Sequence, residues 1–475
     1  MATCIFPTSE VVYAAAIKDG VVQLLGRGNQ PISSSTCYLP RNATKDSIKT
    51  ISPFKSMEQD LPFSFALFGP GLDGRLVRVL KSACSVTAQQ KANGDIQYVH
   101  NGRTIDVETV VNTVFSNIVS KVRDAQGSIR TLGFVVPDHF SVLRRAALFR
   151  MVKGNLLNED VKVKLVNQSA TIAASCMKHV PEKCNMLIVR IDTEGLTVSI
   201  YSIDRKQATP VISVSDTSVT EVDVLKATLD AFVRRVESAG LAPEFKKMDE
   251  NMRIRKECRY LEIIRSLYAM TNEDATIELS DGKEEEIGED DCGEAVRSLV
   301  APVFNMIENC LFLSNMSLAM INGIVVSGCT TRFPAWTEAL KQKYRKEVTY
   351  VSDSDMCCEG VEMVSGMVSS VKQCSQAAYS VGLDSDQVLC IPSGTCFPSS
   401  RLEKKCALTY TSGVSSKDLL VLEQRFGDKS PRVVDRKNLN ELREGDVYQL
   451  QVTMNLDENG FVITDVKRNK TSTEL

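Results

Sequence analysis

Fifteen cysteines and three histidines are the side chains in this sequence that could ligate a metal or form disulfides. The cysteines are scattered from Cys4 to Cys406, with one adjacent pair, Cys357-Cys358, and no CxxC motif. Structural zinc sites need cysteines and histidines at short fixed spacings, and this pattern lacks them. We therefore predict no metal site. The cysteines are expected to be mostly small buried hydrophobes in a reducing compartment, and the adjacent pair to be inert rather than a redox or metal pair.

A cluster of cations at the start of a predicted helix over 247–270 could contact ribosomal RNA. The cations are Lys246, Lys247, Arg253, Arg255 and Lys256. Asp249 and Glu250 lie among them, so a mixed solvated helix face is the alternative interpretation and the favoured one.

The composition bounds the class of protein. The 475 residues predict two to three domains, and 43% apolar with 24% charged residues is typical of a globular chain. Lys+Arg of 56 against Asp+Glu of 59 gives a net charge of -3, which disfavours a broad electrostatic surface for nucleic acid or anionic lipid. The first residues lack the features of a secretory or transit signal, and no run of about 18 uncharged apolar residues is present. We expect a cytoplasmic protein without a membrane span and without direct DNA binding.

Short apolar runs alternate with stretches of helical periodicity, which predicts an α/β fold. Strands at 11–17 and 21–25 are joined by the turn Lys18-Asp19-Gly20. A similar unit recurs at 186–191 and 196–203. Two related β units, each followed by helices, indicate two similar lobes.

Further elements are predicted from the same patterns. Strands are predicted at 133–136, 161–166, 210–214 and 324–326, and helices at 140–151, 222–236 and 247–270. The acidic run 283–291 is predicted to be a solvated loop.

The texture changes after a polar segment at 365–380. Short strands separated by turns are predicted at 388–391, 406–410, 418–424, 447–454 and 460–466. These strands predict a compact all-β module of about one hundred residues, an ordinary domain size.

Two lobes and a β module, with the strings VVPDHFSVLRRAA, IVVSGCTTRFP and VTMNLDENGFVITDV, resemble the DnaK-type heat-shock chaperones of the heat shock protein 70 family. The resemblance implies an α/β chain with an actin-like, two-lobed ATPase-type domain over 1–369. A polar linker over 370–382 and a β-sandwich substrate-binding-type domain over 383–475 would come next. The family's helical lid is expected to be missing, because the chain stops at Leu475.

The resemblance also implies where a nucleotide would bind, and most of those positions differ from the family pattern. Phe6 stands where the family's first phosphate turn has an aspartate, and Pro7 removes a backbone donor there. Glu10 adds a negative charge, and the glutamate of the family's Asn-Glu-Pro motif is Gln168.

The family's second turn, Asp-x-Gly-Gly-Gly-Thr, corresponds to Arg190-Ile191-Asp192-Thr193-Glu194-Gly195. Side chains occupy all three glycine positions, and two of them are anionic. Arg190 replaces a magnesium-side aspartate, and we expect it to fill the cleft by pairing with Asp192 or Glu194. The adenine-side Glu and Lys of the family correspond to Leu261 and Ile264.

The last turn resembles the family motif in part. Gly328, Thr330, Thr331 and Arg332 match the Gly-Gly-Ser-Thr-Arg turn, with Cys329 in place of one glycine. The resemblance implies that these four residues are what remains of a cofactor-binding site. The resemblance therefore implies no ATP hydrolysis, no metal, no required cofactor and at most weak ATP binding.

The interdomain segment carries the same implication. Family linkers that transmit nucleotide state are rich in leucine, whereas Ser370-Val371-Lys372-Gln373-Cys374-Ser375-Gln376 is polar. We expect little docking energy from it and no nucleotide-driven cycle. Pro137 and Arg145, which match relay positions of the family, are predicted to end a strand and to form a structural ion pair.

One branch of the family fits best: the lidless member of the ribosome-associated complex. It implies a non-catalytic scaffold that binds a zuotin-type J-domain protein at the ribosome and assists an active heat-shock chaperone on nascent chains. Three alternatives stay open. They are a nucleotide-exchange factor for another chaperone, a structural subunit of a ribonucleoprotein, and an unusual ATPase that depends on Thr331 or Arg332.

Overall fold

The computed structural model describes most of the chain. It covers residues 2–8, 11–26, 31–34, 37–38, 49–50, 60–61, 64–70, 72, 74–83, 87–92, 94–100, 103–155, 160–180, 183–241, 250–269, 275–279, 282–368, 370–383, 386–399, 406–411, 418–439 and 447–470. Five residues named above lie outside the described residues: Glu10, Lys246, Lys247, Asp249 and Leu475.

Up to residue 368, the chain mixes strands and helices. The strands are β1 (Ala2–Pro7), β2 (Val11–Lys18), β3 (Val21–Leu24), β4 (Ser33–Ser34), β5 (Cys37–Tyr38), β6 (Lys49–Thr50), β7 (Asp60–Leu61), β8 (Thr87–Gln90), β9 (Ile96–His100), β10 (Arg103–Asp106), β11 (Thr131–Val136), β12 (Lys162–Asn167), β13 (Cys184–Asp192), β14 (Gly195–Ile203), β15 (Ala208–Asp216), β16 (Ala275–Glu278), β17 (Glu284–Ile287), β18 (Gly323–Ser327) and β19 (Glu347–Val351). The helices are α1 (Gly74–Lys81), α2 (Val107–Gln126), α3 (Val142–Asn155), α4 (Gln168–Met177), α5 (Glu221–Ser238), α6 (Glu250–Ala269), α7 (Glu289–Leu313), α8 (Pro334–Tyr344) and α9 (Asp353–Ser365).

Two large sheets have the same strand order. The first runs β12-β11-β1-β2-β3 and the second runs β19-β18-β13-β14-β15. In both, the central strand pairs in parallel on one side and with an antiparallel hairpin strand on the other. The outer pairs continue the same pattern, parallel on one side and antiparallel on the other. The two sheets are therefore copies of one topology.

Helix α9 lies across the first sheet at unusually close range. A Cβ on Gly360 would meet Cys4 Sγ at 2.7 Å, and a Cβ on Gly133 would meet Val364 at 2.6 Å. Glycine at both places lets the helix backbone approach β1 and β11.

Local sequence motifs mark the starts of helices α5 and α9. Thr220 and Asp223 form a capping box at the start of α5, and Ser352 and Asp355 form one at the start of α9. Each box satisfies backbone donors that the first helical turn leaves unpaired.

The acidic run 283–291 differs from the sequence expectation. Glu284–Ile287 pairs with β16 as a strand, and the remainder opens α7. Glu289, Asp290 and Asp291 lie in the first turn of that helix, where negative charge is favourable. The prediction of a loop was wrong because hairpin pairing and helix capping both use these acids.

Among the described residues, one helix, α7, is long and apolar enough to cross a membrane by length and composition. It packs on α5 and β14, and Val296, Val303 and Ile307 belong to the core around the two sheets. Core helices of soluble domains pass the same test.

From residue 370 onward, the described residues form strands and turns. The strands are β20 (Gln373–Cys374), β21 (Ala377–Leu383), β22 (Asp386–Ile391), β23 (Cys396–Phe397), β24 (Cys406–Thr411), β25 (Asp418–Arg425), β26 (Arg432–Asn438), β27 (Val447–Leu456) and β28 (Val462–Lys470). One sheet runs β22-β21-β25-β26 and the other β24-β27-β28. Both contribute to one apolar core that includes Val381, Leu419 and Leu450. We call this region the β module.

The segment predicted as a linker, 370–382, contains β20 and most of β21. Ala208 N donates to Ser370 O at 3.1 Å, and Lys372 N donates to Ala208 O at 2.9 Å. Val371 therefore bridges in parallel to the edge of the second sheet. The segment docks on the second sheet through backbone hydrogen bonds, so docking does not require leucine side chains.

Candidate functional site

The ends of β1 and β13 face each other across a narrow cleft between the two sheets. The cavity there has a volume of about 50 Å³ and is lined by Pro7, Thr8, Ser64, Phe65, Ala66, Pro137, Gln168, Arg190, Asp192, Thr193, Glu194, Glu221 and Asp353. This volume holds a few water molecules, whereas pockets for drug-sized ligands occupy several hundred Å³.

Arg190 at the end of β13 occupies the centre of the cleft and is 3% exposed. Its Nε donates to Asp192 Oδ2 at 3.3 Å, and its Nη1 donates to Asp353 Oδ1 at 3.0 Å. Its guanidinium also lies 5.4 Å from the centre of the Phe6 ring. Burial alone would lower the pKa of Arg190, but Asp353 and Asp192 outweigh it and raise that pKa. Arg190 is a fixed cation that two carboxylates neutralise.

Glu194 pairs with Arg144 and not with Arg190. Arg144 donates to both Glu194 carboxylate oxygens, through Nη1 to Oε2 and through Nη2 to Oε1 at 3.3 Å. His139 Nε2 lies 3.2 Å from Glu194 Oε2. Burial alone would raise the pKa of Glu194, but Arg144 and His139 hold it below its ordinary value. The sequence predicted that Arg190 pairs with Asp192 or Glu194, and the Arg190–Asp192 pair in the structure confirms that prediction.

The backbone amides of this turn are already bonded. Glu194 N and Gly195 N donate to Asp192 Oδ1 at 2.9 and 3.2 Å. Gly195 has φ +142°, and a Cβ there would meet Asp216 O at 2.1 Å, so glycine is required. The amides that could cradle a phosphate are thus taken by the chain's own carboxylate.

Among the other described residues of the cleft, few hydrogen-bonding groups are unpaired. Phe6 is fully buried, and Thr8 N donates to Val11 O at 2.9 Å. Gln168, the first residue of α4, is 4% exposed, and its Oε1 has no hydrogen-bond partner among the described residues. Thr193 Oγ1 donates to Glu221 Oε2 at 2.7 Å.

The residues Gly328, Thr330, Thr331 and Arg332 lie beside β18 and do not line the cavity. Gly328 has φ +106°, and a Cβ would meet Ile191 O at 2.0 Å. Thr330 and Thr331 are buried, and Thr331 Oγ1 donates to Gly328 O at 2.9 Å, while Arg332 is exposed. This turn packs tightly against β13, which accounts for its glycine.

The two positions matched to adenine contacts are core residues. Leu261 and Ile264, on α6, are 2% and 0% exposed and belong to the core around the two sheets. Pro137 directly follows β11 and lines the cleft.

The cleft residues do not fit a magnesium nucleotide. Four carboxylates, on Asp192, Glu194, Glu221 and Asp353, line the cavity. Arg144 pairs with Glu194, and Arg190 pairs with Asp192 and Asp353, so the cations at the cleft already have carboxylate partners. A triphosphate would have to compete with these carboxylates and would find few free donors among the described residues.

A second polar cluster, centred on Arg145, joins the β module to the α/β part of the chain. Arg145 is 4% exposed, and it donates to Asn167 Oδ1 at 2.5 Å and to Asn459 O at 3.3 Å. These acceptors are neutral, so the predicted ion pair for Arg145 was wrong. Burial lowers the pKa of Arg145.

Further contacts extend this interface, which we call the seam. Leu165 N donates to Asn459 Oδ1 at 2.9 Å, and Val142 N donates to Glu423 Oε1 at 3.1 Å. Arg425 Nη1 donates to the His139 carbonyl at 2.8 Å. His139 therefore contacts the cleft through its ring and the seam through its backbone.

Sequence reasoning missed several of these residues. Arg144 stands next to Arg145 in a segment already singled out, so the doubled arginine was an available signal. Asp353 and Glu221 come from the first turns of α9 and α5, far along the chain, and nothing in their local sequence points to Arg190 or Thr193.

Neither a scan against protein-family models nor a search of the curated proteins gives a match for this chain.

Proposed function

We propose that this chain is a non-catalytic, heat shock protein 70-like scaffold. It would have an actin-like pair of lobes and a β-sandwich module that holds a J-domain protein near the ribosome and an active chaperone. The observation that carries the proposal is Arg190, held between Asp192 and Asp353 in the cleft between two sheets of one topology. A cleft filled by its own ion pairs supports a chain that has kept the framework without the nucleotide chemistry.

Two further observations support it. The amides of the second turn are bonded to Asp192 rather than free for phosphate. The β module is seated on the α/β part of the chain through buried hydrogen bonds that Asn459 accepts from Arg145 and from Leu165 N, which is compatible with a fixed arrangement.

The sheets of the β module end at β22 and β26 and at β24 and β28. β22 and β24 contact each other, so we take β26 and β28 as the edges for a bound segment. Each of these two exposes one large apolar side chain, Val433 at 38% and Ile463 at 50%. A J-protein segment would add to one of these edges by main-chain hydrogen bonding.

The nucleotide part is tested by thermal unfolding with and without millimolar magnesium-ATP. We expect no rise in the unfolding midpoint, because a ligand that does not bind cannot stabilise the folded state. A rise of several degrees would overturn the proposal that the cleft binds no nucleotide.

The partner part is tested by affinity purification of the tagged full-length chain from cytosol, followed by mass spectrometry and a sucrose gradient. We expect one stoichiometric J-protein that sediments with ribosomes. Val433→Glu or Ile463→Glu should reduce its recovery about tenfold, whereas Val21→Glu, at an exposed apolar position of β3, should not. Recovery of an active chaperone without J-protein or ribosomes would favour an exchange factor instead.

A further inference from the structure

Two short strands at the start of the β module place two cysteines side by side. Cys374 on β20 and Cys396 on β23 are direct register partners in an antiparallel pair. Ser375 N donates to Thr395 O at 3.0 Å, so the backbone bonds flank the cysteines, which form a non-hydrogen-bonded pair. The Cα atoms of such pairs lie about 4.5 Å apart, within the roughly 4.4–6.8 Å that a disulfide spans.

The two thiols differ in how far solvent reaches them. Cys374 is 1% exposed, whereas Cys396 is half-buried and reachable from solvent. Burial raises the pKa of both thiols, and that of Cys374 lies well above its ordinary value. Cys396, the more exposed of two thiols that face each other across paired strands, is therefore the one that a reagent reaches first.

We propose that Cys374 and Cys396 form a reversible dithiol–disulfide site whose co-substrate is a low-molecular-weight disulfide. The Cys396 thiolate attacks the small disulfide, whose S–S bond breaks, and one small thiol leaves. The Cys374 thiolate then attacks the Cys396 sulfur, the protein disulfide forms, and the second small thiol leaves. Two electrons pass from the two protein thiols to the small disulfide, and the two thiol protons end on the released thiols.

The geometry selects this pair among the cysteines. In the strand pairings of the described residues, no other cysteine lies opposite a cysteine. Cys357 Sγ does contact Cys4 O at 3.5 Å, but both residues are fully buried, so no reagent reaches them in the folded protein. Cys390 is 2% exposed in the core of the module.

The bond would lie within the β module and would fix the strand of the module that contacts the seam. The Cys374 carbonyl accepts a hydrogen bond from Asn167 Nδ2 at 3.1 Å, and the Gln373 side chain accepts one from Asn167 N at 2.7 Å. A disulfide would fix β20, which makes these contacts, to β23 across the hairpin of β21 and β22. The inference rests on this geometry and does not depend on the proposed J-protein partner.

The test uses the full-length folded protein, incubated with oxidised glutathione in excess, then alkylated and digested. Trypsin releases one peptide over 373–401, and an Asp-specific protease separates 373–383 from 386–401. We expect these two peptides to remain linked in most molecules and to separate after reduction. Cys396→Ser should abolish the link, and Cys390→Ser should leave it unchanged.

Thermal unfolding provides a second readout. Oxidation should raise the unfolding midpoint of the chain by several degrees, dithiothreitol should reverse the rise, and Cys396→Ser should show neither change. The proposal is overturned if the linked peptides form only in denaturant, or if a link to Cys390 is equally abundant in folded wild-type protein.

Discussion

Two consecutive arginines of α3, Arg144 and Arg145, extend into two different polar regions of this molecule. Arg144 enters the cleft and neutralises Glu194, with its remaining donors on the carbonyls of Phe68, Ala66 and Phe65. Arg145 enters the seam, where Asn167 and Asn459 accept from it. Both side chains are almost completely buried.

The difference lies in what the buried cation faces. In the cleft, each buried cation meets carboxylates, and removal of one partner would leave a buried charge. At the seam, the acceptors are amides and carbonyls, so the loss of Arg145 leaves neutral groups that water can satisfy. The cleft is therefore held by charge neutralisation, whereas the charged groups of the seam, Arg145 and Glu423, are hydrogen-bonded to neutral partners.

The largest effect is expected from Arg144→Met. It should destabilise the protein by about 3 to 5 kcal/mol at pH 7, because Glu194 is left charged and buried. In the wild type the pKa of Glu194 is lowered, so its contribution is present above the ordinary pKa of a glutamate, about 4.3, and is lost as the pH falls through the folded-state pKa. In the variant, burial would raise that pKa, and protonation at low pH would relieve the penalty.

Urea denaturation of both proteins at pH 7.5 and pH 5 measures this. The difference in free energy of unfolding should shrink at the lower pH, and Glu194→Gln added to Arg144→Met should recover part of the loss. An equal loss at both pH values, with no recovery in the double variant, would contradict the ion-pair account.

The neighbouring change Arg145→Met should cost less, about 2 kcal/mol, because neutral acceptors lose their donor. It should also vary less with pH than Arg144→Met, since the acceptors of Arg145 do not titrate and the carboxylates of Asp138 and Glu423 act on it only through space. The same urea series measures it. A loss as large and as pH-dependent as that of Arg144→Met would erase the distinction between the two regions.

Asn459→Ala sharpens the comparison from the module side. It removes the side-chain oxygen that accepts from Leu165 N at 2.9 Å and should cost about 1 to 2 kcal/mol. Hydrogen exchange should become faster at the amide of Leu165, and slow exchange should persist at Gly195 in the cleft. Faster exchange at both amides would show that the seam and the cleft open together.

The smallest effect is expected at the rim of the seam. Lys162 Nζ lies 3.1 Å from Glu458 Oε1, and both side chains are about half exposed. Glu458→Gln should change the free energy of unfolding by less than about 0.5 kcal/mol, and less still in high salt. A change above about 1 kcal/mol would mean that surface charge contributes to the seat of the module.

Much of the secondary structure can be predicted from local pattern. The apolar run at 186–191 and the turn before Gly195 predict the central hairpin that the structure has as β13 and β14. The acidic run 283–291 and the polar segment 370–382 were exceptions, because whether polar residues pair as strands, cap a helix or line a loop depends on the segments packed around them. Arg190–Asp192 was predictable because both residues lie at one strand end, whereas Asp353 reaches Arg190 only through the start of α9.

The sequence by itself determined the alternating strands and helices, the all-strand pattern after residue 382, and the side chains that stand in the cleft turns. Periodicity, turn residues and residue type are local properties, and they are readable without a fold. Tertiary structure alone decided that Glu194 pairs with Arg144 and that Arg145 has neutral partners. It also decided that a polar segment docks by its backbone and that Cys374 faces Cys396. Each of these depends on which distant segments pack together, and neither segment alone determines how its buried groups pair.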